Sequence, residues 1–313
     1  MLKLISIHDV ESTPSTSTDL FIAACGYEGR AIAAAQNYLH TAKRRLAIGF
    51  TAQRELEYES NRAWFRGAKF DLIEVCDDNF RDELDQYLSL HFPEGGIWNV
   101  EIDISCFNRF RLAHLVDALR SLLAVEVAII FRYSIAEFTP PSSDTAPTVT
   151  MEPVIPQFAG WTTRPDRPPA AIVGLGYEPN KAIGVVDHLE INNATWAYYP
   201  LGPVPEYYQR VLDANHSLVE IIKSDGRFQP YDLKEPAQLF NDINSLVDTL
   251  KRHFNAVLIP FGPKLFALVT LLVACIHEDV GVWRVSSGSL EEPVNRKSSG
   301  HVVTFAVKFR IED

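Results

Sequence analysis

Short apolar runs alternate with longer stretches whose apolar residues recur at three- and four-residue spacing, and this alternation continues over most of the 313 residues. The runs 20–24, 46–50, 70–75, 98–104 and 125–132 are β-branched or apolar and bounded by polar residues, which predicts strands. Between them the spacing predicts helices over 28–39, 53–65, 80–91 and 109–123, with Leu112, Leu115, Val116, Leu119 and Leu122 on one face of the last. A second series repeats the order. Its strands are 171–175, 195–200, 227–231, 256–260 and 280–285, and its helices are 181–189, 206–222, 236–254 and 264–277. A closing run, 302–309, alternates in the manner of an antiparallel edge.

Strict alternation of this kind predicts an α/β protein with mostly parallel sheets covered by helices. The repeated order divides it into two tandem Rossmann-like units related by internal duplication, residues 1–150 and 151–313. The seam lies at 139–169, where eight prolines stand among serines and threonines. That composition predicts an inter-domain connection and no regular element. Val154, Ile155, Phe158 and Trp161 give the connection apolar surface to bury.

One short segment returns with its tripeptide Gly-Tyr-Glu unchanged. Cys25-Gly26-Tyr27-Glu28-Gly29-Arg30 returns 150 residues later as Leu175-Gly176-Tyr177-Glu178-Pro179-Asn180-Lys181. Each copy sits where a strand hands over to a helix, the place where open α/β sheets take ligands. Two readings are open. In one, glycine permits a tight turn, tyrosine stacks on a base, glutamate accepts from an amino group or ribose, and Arg30 and Lys181 meet phosphate. In the other, Glu28 and Glu178 complement helix dipoles and the tyrosines pack on the sheet edge. Recurrence at the same topological point favours the ligand role. Tyr58 and Asn61, with Tyr207, Tyr208 and Asn215, lie on the second helix of each half, either flanking the clefts or packing the helix surface.

Composition narrows the ligand. Hydrophobic content of 47% and charged content of 22% are those of an ordinary globular chain. A formal charge of −11 excludes wrapping long nucleic acid but leaves room for a short nucleotide in a locally positive cleft. The four cysteines form no CxxC pair, fall on or beside apolar stretches, and read as buried thiols in a reducing cytoplasm. The nine histidines contain no HxxxH pair, so no metal site is expected. No apolar run approaches the ~20 residues of a membrane span, and the first residues lack a signal-peptide core. A soluble cytoplasmic protein without a membrane partner is therefore expected. No nucleophile elbow, Walker A loop or complete dinucleotide fingerprint is present, so no cofactor is expected; Gly174 and Gly176 begin such a fingerprint, but Pro179 stands at its third glycine. The run 286–289 reads as a turn before the closing strand.

After the fourth strand stands Asp103-Ile104-Ser105-Cys106-Phe107-Asn108-Arg109. Ser105 is placed to donate to a phosphate near a helix N-terminus, Arg109 adds a fork of donors, and Asp103 can cap the helix, orient Arg109 or accept from a ribose. The alternative is an ordinary helix cap followed by a surface arginine.

This segment resembles the signature of the CARF family, Rossmann-like sensors of cyclic oligonucleotides. That family carries an acid or amide after its fourth strand, a hydroxyl two residues on and a cation four further, the spacing of Asp103, Ser105 and Arg109. The tandem order is similar to SAVED, a fused double CARF-like domain. The second half departs from the pattern. Ile259-Pro260-Phe261-Gly262-Pro263-Lys264 keeps a close backbone approach at Gly262 and a cation at Lys264, while the acid and hydroxyl are gone. The resemblance implies a sensor of a cyclic oligonucleotide or related nucleotide in bacterial anti-phage signalling, acting through a separate effector protein, and leaves a homo-oligomer open. The rival reading is an enzyme on the same scaffold, either a ring nuclease at Ser105 and Arg109 or a glycosidic-bond hydrolase using Glu28 or Glu178.

Overall fold

The computed structural model describes residues 1–10, 17–38, 42–140, 147–160, 164–288 and 292–311. Leu39, Trp161 and Ser289 of the readings above, with Pro141 of the seam, lie outside the described residues. Two compact units emerge: Met1–Glu137 with Pro293–Asp313, and Phe138–Glu292.

The first unit is built on β1 (Lys3–Asp9), β2 (Thr18–Cys25), β3 (Ala42–Phe50), β4 (Asp71–Val75), β5 (Ile97–Asp103) and β6 (Glu126–Ala136). Its helices are α1 (Ala33–Tyr38), α2 (Tyr58–Gly67), α3 (Phe80–His91) and α4 (Arg109–Arg120). Strands β4-β3-β2-β5-β6 lie side by side and parallel. Counting from β2, this is the doubly wound order 3-2-1-4-5. Residues Phe21, Ala23 and Cys25 of β2 pack with Phe65 of α2 and Phe70 to form one side of the core.

The second unit repeats that order. Its strands are β7 (Thr150–Pro153), β8 (Pro169–Gly174), β9 (Thr195–Leu201), β10 (Phe228–Asp232), β11 (Asn255–Pro260) and β12 (Gly281–Ser286). Its helices are α5 (Lys181–His188), α6 (Glu206–Ala214), α7 (His216–Ile222), α8 (Pro236–Leu250) and α9 (Lys264–Ile276). Strands β10-β9-β8-β11-β12 are parallel and again read 3-2-1-4-5. The α/β class and the two Rossmann-like units are thus as the alternation predicts. α9, apolar on every side, is buried nearly throughout, as its uninterrupted hydrophobic sequence requires. Among the described residues no helix is long and apolar enough to cross a membrane.

Four local expectations are corrected. The closing strand, β13 (Ser298–Arg310), joins the first sheet and not the second, pairing antiparallel with β6 and with β1. The chain therefore does not divide at residue 150: its C-terminal segment returns to the first unit. Phe305, stacked on Phe131 at 5.4 Å, Val307 and Phe309 bury one face of β13 there, which fixes the register. The proline-rich seam contains β7, which adds antiparallel to β12 just as β13 adds to β6. Its Pro153 ends an edge strand, where a missing N–H is tolerated. Residues 51–57 are not helical, with Gln53 and Leu56 at positive φ. Finally, the predicted helix 206–222 is broken at Asn215 into α6 and α7.

Candidate functional site at the two switch points

In a 3-2-1-4-5 sheet the connections from the first and fourth strands leave in opposite directions, opening a crevice at their carboxyl ends. In the first unit that point lies between β2 and β5, hence between the loops 25–30 and 104–108. In the second it lies between β8 and β11, hence between 174–180 and 261–263. Twelve of the thirteen candidate residues fall on these two pairs of loops or on the first turns that follow them, and the thirteenth, Asp103, ends β5.

The loops of each pair touch. A Cβ on Gly26 would stand 3.1 Å from Cβ of Cys106, and a Cβ on Gly262 would stand 2.5 Å from the Leu175 carbonyl oxygen. Only glycine permits the second approach. Backbone amides of Phe261 and Gly262 both donate to Gly174 O, at 2.8 and 3.0 Å.

An asparagine fastens the repeated loop in each unit. Asn61 Nδ2 of α2 donates to the carbonyls of Gly26 and Glu28, both at 2.9 Å. Asn215 Nδ2 donates to Gly176 O at 2.7 Å and to Val211 O at 2.8 Å. Both side chains are buried. This contact explains the break between α6 and α7, because Asn215 turns to the loop and to the preceding turn.

The first unit's mouth is densely tied. Arg30 Nε donates to Glu28 Oε2 at 2.6 Å and its Nη1 to Ser134 O at 2.8 Å. Burial works to lower the Arg30 pKa, but the adjoining Glu28 carboxylate outweighs it, so the guanidinium is held above its ordinary value. The other Glu28 oxygen faces Arg296 Nη1 at 3.6 Å. Residues 295 and 296 cross this loop: Gly29 N donates to Asn295 Oδ1 at 2.8 Å and Arg30 N to Arg296 O at 3.1 Å. Ser105, fully buried, donates from Oγ to Asp103 Oδ1 at 2.5 Å and accepts from Ser134 N at 2.8 Å. Asp103 and Ser105 thus shape the loop leading into α4. Arg109, half-buried, opens that helix, and Asn108 caps it by accepting from Arg111 N at 2.7 Å.

The second unit's mouth is more open. Tyr177, Glu178, Lys181, Gly262 and Lys264 are each half-buried. Lys181 opens α5 and Lys264 opens α9, so two ammonium groups stand at first turns on either side of the crevice. Pro179 carries no N–H, and Asn180, in the left-handed region at φ 60°, donates from its own N to Ala214 O at 3.1 Å. The Tyr177 ring lies 5.5 Å from that of Tyr207 on α6, which in turn meets Phe138 edge-on at 5.2 Å.

Sequence reasoning missed the buried arginines. Arg111 sends Nε to Asp77 Oδ1 (2.6 Å), Nη1 to Gly49 O (2.9 Å) and Nη2 to Val75 O (2.6 Å), fixing the carboxyl ends of β3 and β4. Arg132 pairs with Glu101, Nε to Oε2 at 2.8 Å, inside the sheet. Nothing in the local sequence separates Arg111 from Arg109 two residues earlier. The cysteines also divide. Cys25 is buried, with its pKa pushed up to about 12 by burial first and by Glu74 next, whereas Cys76 is exposed, against the expectation of four buried thiols. Among the described residues no group of three or more His, Cys, Asp or Glu side chains could hold a metal. A cavity of about 60 Å³ lined by Arg164, Arg167, Lys251 and Asn255 lies by the opposite, amino ends of β8 and β11. It is far smaller than the roughly 300–1,000 Å³ of a small-molecule site.

No family model matches the chain, and no curated protein does. Among solved structures it is similar to the cytoplasmic domain of a prokaryotic cation chloride cotransporter, at 12% identity and a TM-score of 0.25 over 88% of this chain and 97% of that one. It is also similar to phosphoethanolamine N-methyltransferase 1 of Haemonchus contortus, at 9% identity and a TM-score of 0.27 over 96% and 89%.

Proposed function

We propose that the chain is a nucleotide sensor whose ligand is a cyclic oligonucleotide, held at the carboxyl-end crevices of its sheets. The observation that carries this reading is the duplicated loop. The same Gly-Tyr-Glu sequence, fastened by the same asparagine-to-glycine hydrogen bond, stands at the switch point of both sheets. Each lies beside a long helix opened by a cation, Arg109 on α4 and Lys264 on α9. Helix N-termini and their cations favour phosphate at such a point. Phosphate contact is assigned to Arg109, Lys181 and Lys264, the cations that open α4, α5 and α9, while Arg30 serves to tie the loop to Glu28 and Ser134. The position of Asp103, Ser105 and Arg109 after the fourth strand supports the CARF-like reading, with the first two as loop supports and the third as the anion contact. A bacterial defence role through a separate effector belongs to the same proposal.

Binding in place of hydrolysis is favoured at Glu28. Both of its carboxylate oxygens face arginines, an arrangement that commits the side chain to ion pairs and directs it inward. The test is equilibrium binding of purified protein to labelled cyclic di-, tri- and tetranucleotides, with recovered ligand checked for cleavage. Saturable binding of intact ligand is expected. Absence of binding to all of them, or release of cleaved product, overturns the reading.

A further inference from the structure

The two units differ in what covers the repeated loop. In the first, the C-terminal segment lies on it, taking the amides of Gly29 and Arg30. In the second, a whole helix, α6, is interposed between β9 and α7, the helix whose leading Asn215 corresponds to Asn61. α6 brings Tyr207 over the repeated tyrosine, so that Phe138, Tyr207 and Tyr177 form a continuous run of rings at the mouth. All three are half-buried and none belongs to the fully buried core. Lys181, four residues after Tyr177, opens α5.

We infer that α6 is a base-reading element, and that the second unit takes a nucleobase of the ligand against the Tyr177–Tyr207 ring pair. The inference rests on the nucleotide reading above and adds which unit reads the base and with which side chains. Aromatic faces stack on every base, so the platform supplies affinity with little sequence preference. A flat heterocycle extends the existing ring series, and its phosphate then reaches the cations at the starts of α5 and α9. In the first unit the corresponding approach is taken by Asn295 and Arg296. The base contact is therefore assigned to the second unit.

The probe is a cyclic trinucleotide carrying 2-aminopurine, whose emission falls on stacking against an aromatic ring and whose anisotropy reports binding separately. Wild-type protein is expected to bind it with quenching. Tyr207→Leu should weaken binding about 5- to 150-fold and restore emission, while Tyr207→Phe should retain both affinity and quenching. Binding without quenching in the wild type overturns the stacking inference even if Tyr207→Leu fails to fold. Unchanged affinity in a folded Tyr207→Leu overturns it too, and both results leave the nucleotide reading standing. No binding of the probe or of any unmodified cyclic nucleotide overturns both.

Discussion

Asn215 donates to the carbonyl of Gly176 at 2.7 Å, and this contact is repeated by Asn61 on Gly26 at 2.9 Å. Asn61 joins α2, and Asn215 the junction of α6 and α7, to the loop that follows the first parallel strand of its unit. Helix and loop are far apart in sequence, so the contact fixes the crevice only once the sheet is assembled.

Asn61→Ala leaves the Gly26 and Glu28 carbonyls without their buried donor. A loss of about 1–3 kcal/mol in unfolding free energy is expected, measured by urea denaturation. Asn61→Asp should be worse than alanine, since it sets a carboxylate against two carbonyl oxygens. Equal stability of all three proteins would remove the asparagine from this role.

The Glu101–Arg132 pair is buried on both sides, with Thr18 Oγ1 donating to the second Glu101 oxygen at 2.5 Å and the Tyr38 ring 3.6 Å from the Arg132 guanidinium. Glu101→Gln strands the guanidinium in the sheet and should destabilise the first unit by about 3–5 kcal/mol. Replacing both residues by apolar ones should recover much of that loss, which a double-mutant cycle would measure.

A pH dependence follows from His277. Burial, and then the Lys251 ammonium 3.0 Å from Nδ1, hold its pKa below the ordinary 6.5. The folded imidazole stays neutral where the unfolded one takes a proton. Its contribution to stability is therefore complete above about pH 6.5 and is lost progressively as pH falls toward the lower folded value. His277→Gln should flatten the stability profile across that window, read from melting temperature against pH.

Thiol chemistry should separate the cysteines. With native protein at neutral pH, an alkylating reagent is expected to modify exposed Cys76 and spare Cys25, whose pKa near 12 leaves almost no thiolate. Peptide mapping after labelling gives the ratio directly.

Much of the architecture was legible because each apolar run is short, local and bounded by polar residues, so strands and helices declared themselves without tertiary information. What stayed hidden depends on distant pairing. The alternation of 302–309 marks an edge strand, but its sheet is decided by Phe305 meeting Phe131 across more than half the chain. β1 is half polar and pairs with that same C-terminal strand. The repeated tripeptide located both switch points from sequence alone. Its environment did not follow: Glu28 is buried between arginines while Glu178 is half-exposed, a difference made by Arg296 arriving from the far end of the chain.

The central claim is best tested by titrating a labelled cyclic oligonucleotide into wild-type, Arg109→Ala and Lys264→Ala proteins, with folding confirmed by thermal melts. The account predicts saturable binding to the wild type and a loss of about 1.5–3 kcal/mol in binding free energy for at least one variant, as expected for a hydrogen bond to a charged group. Identical affinity in all three folded proteins, or no binding to the wild type, would contradict it.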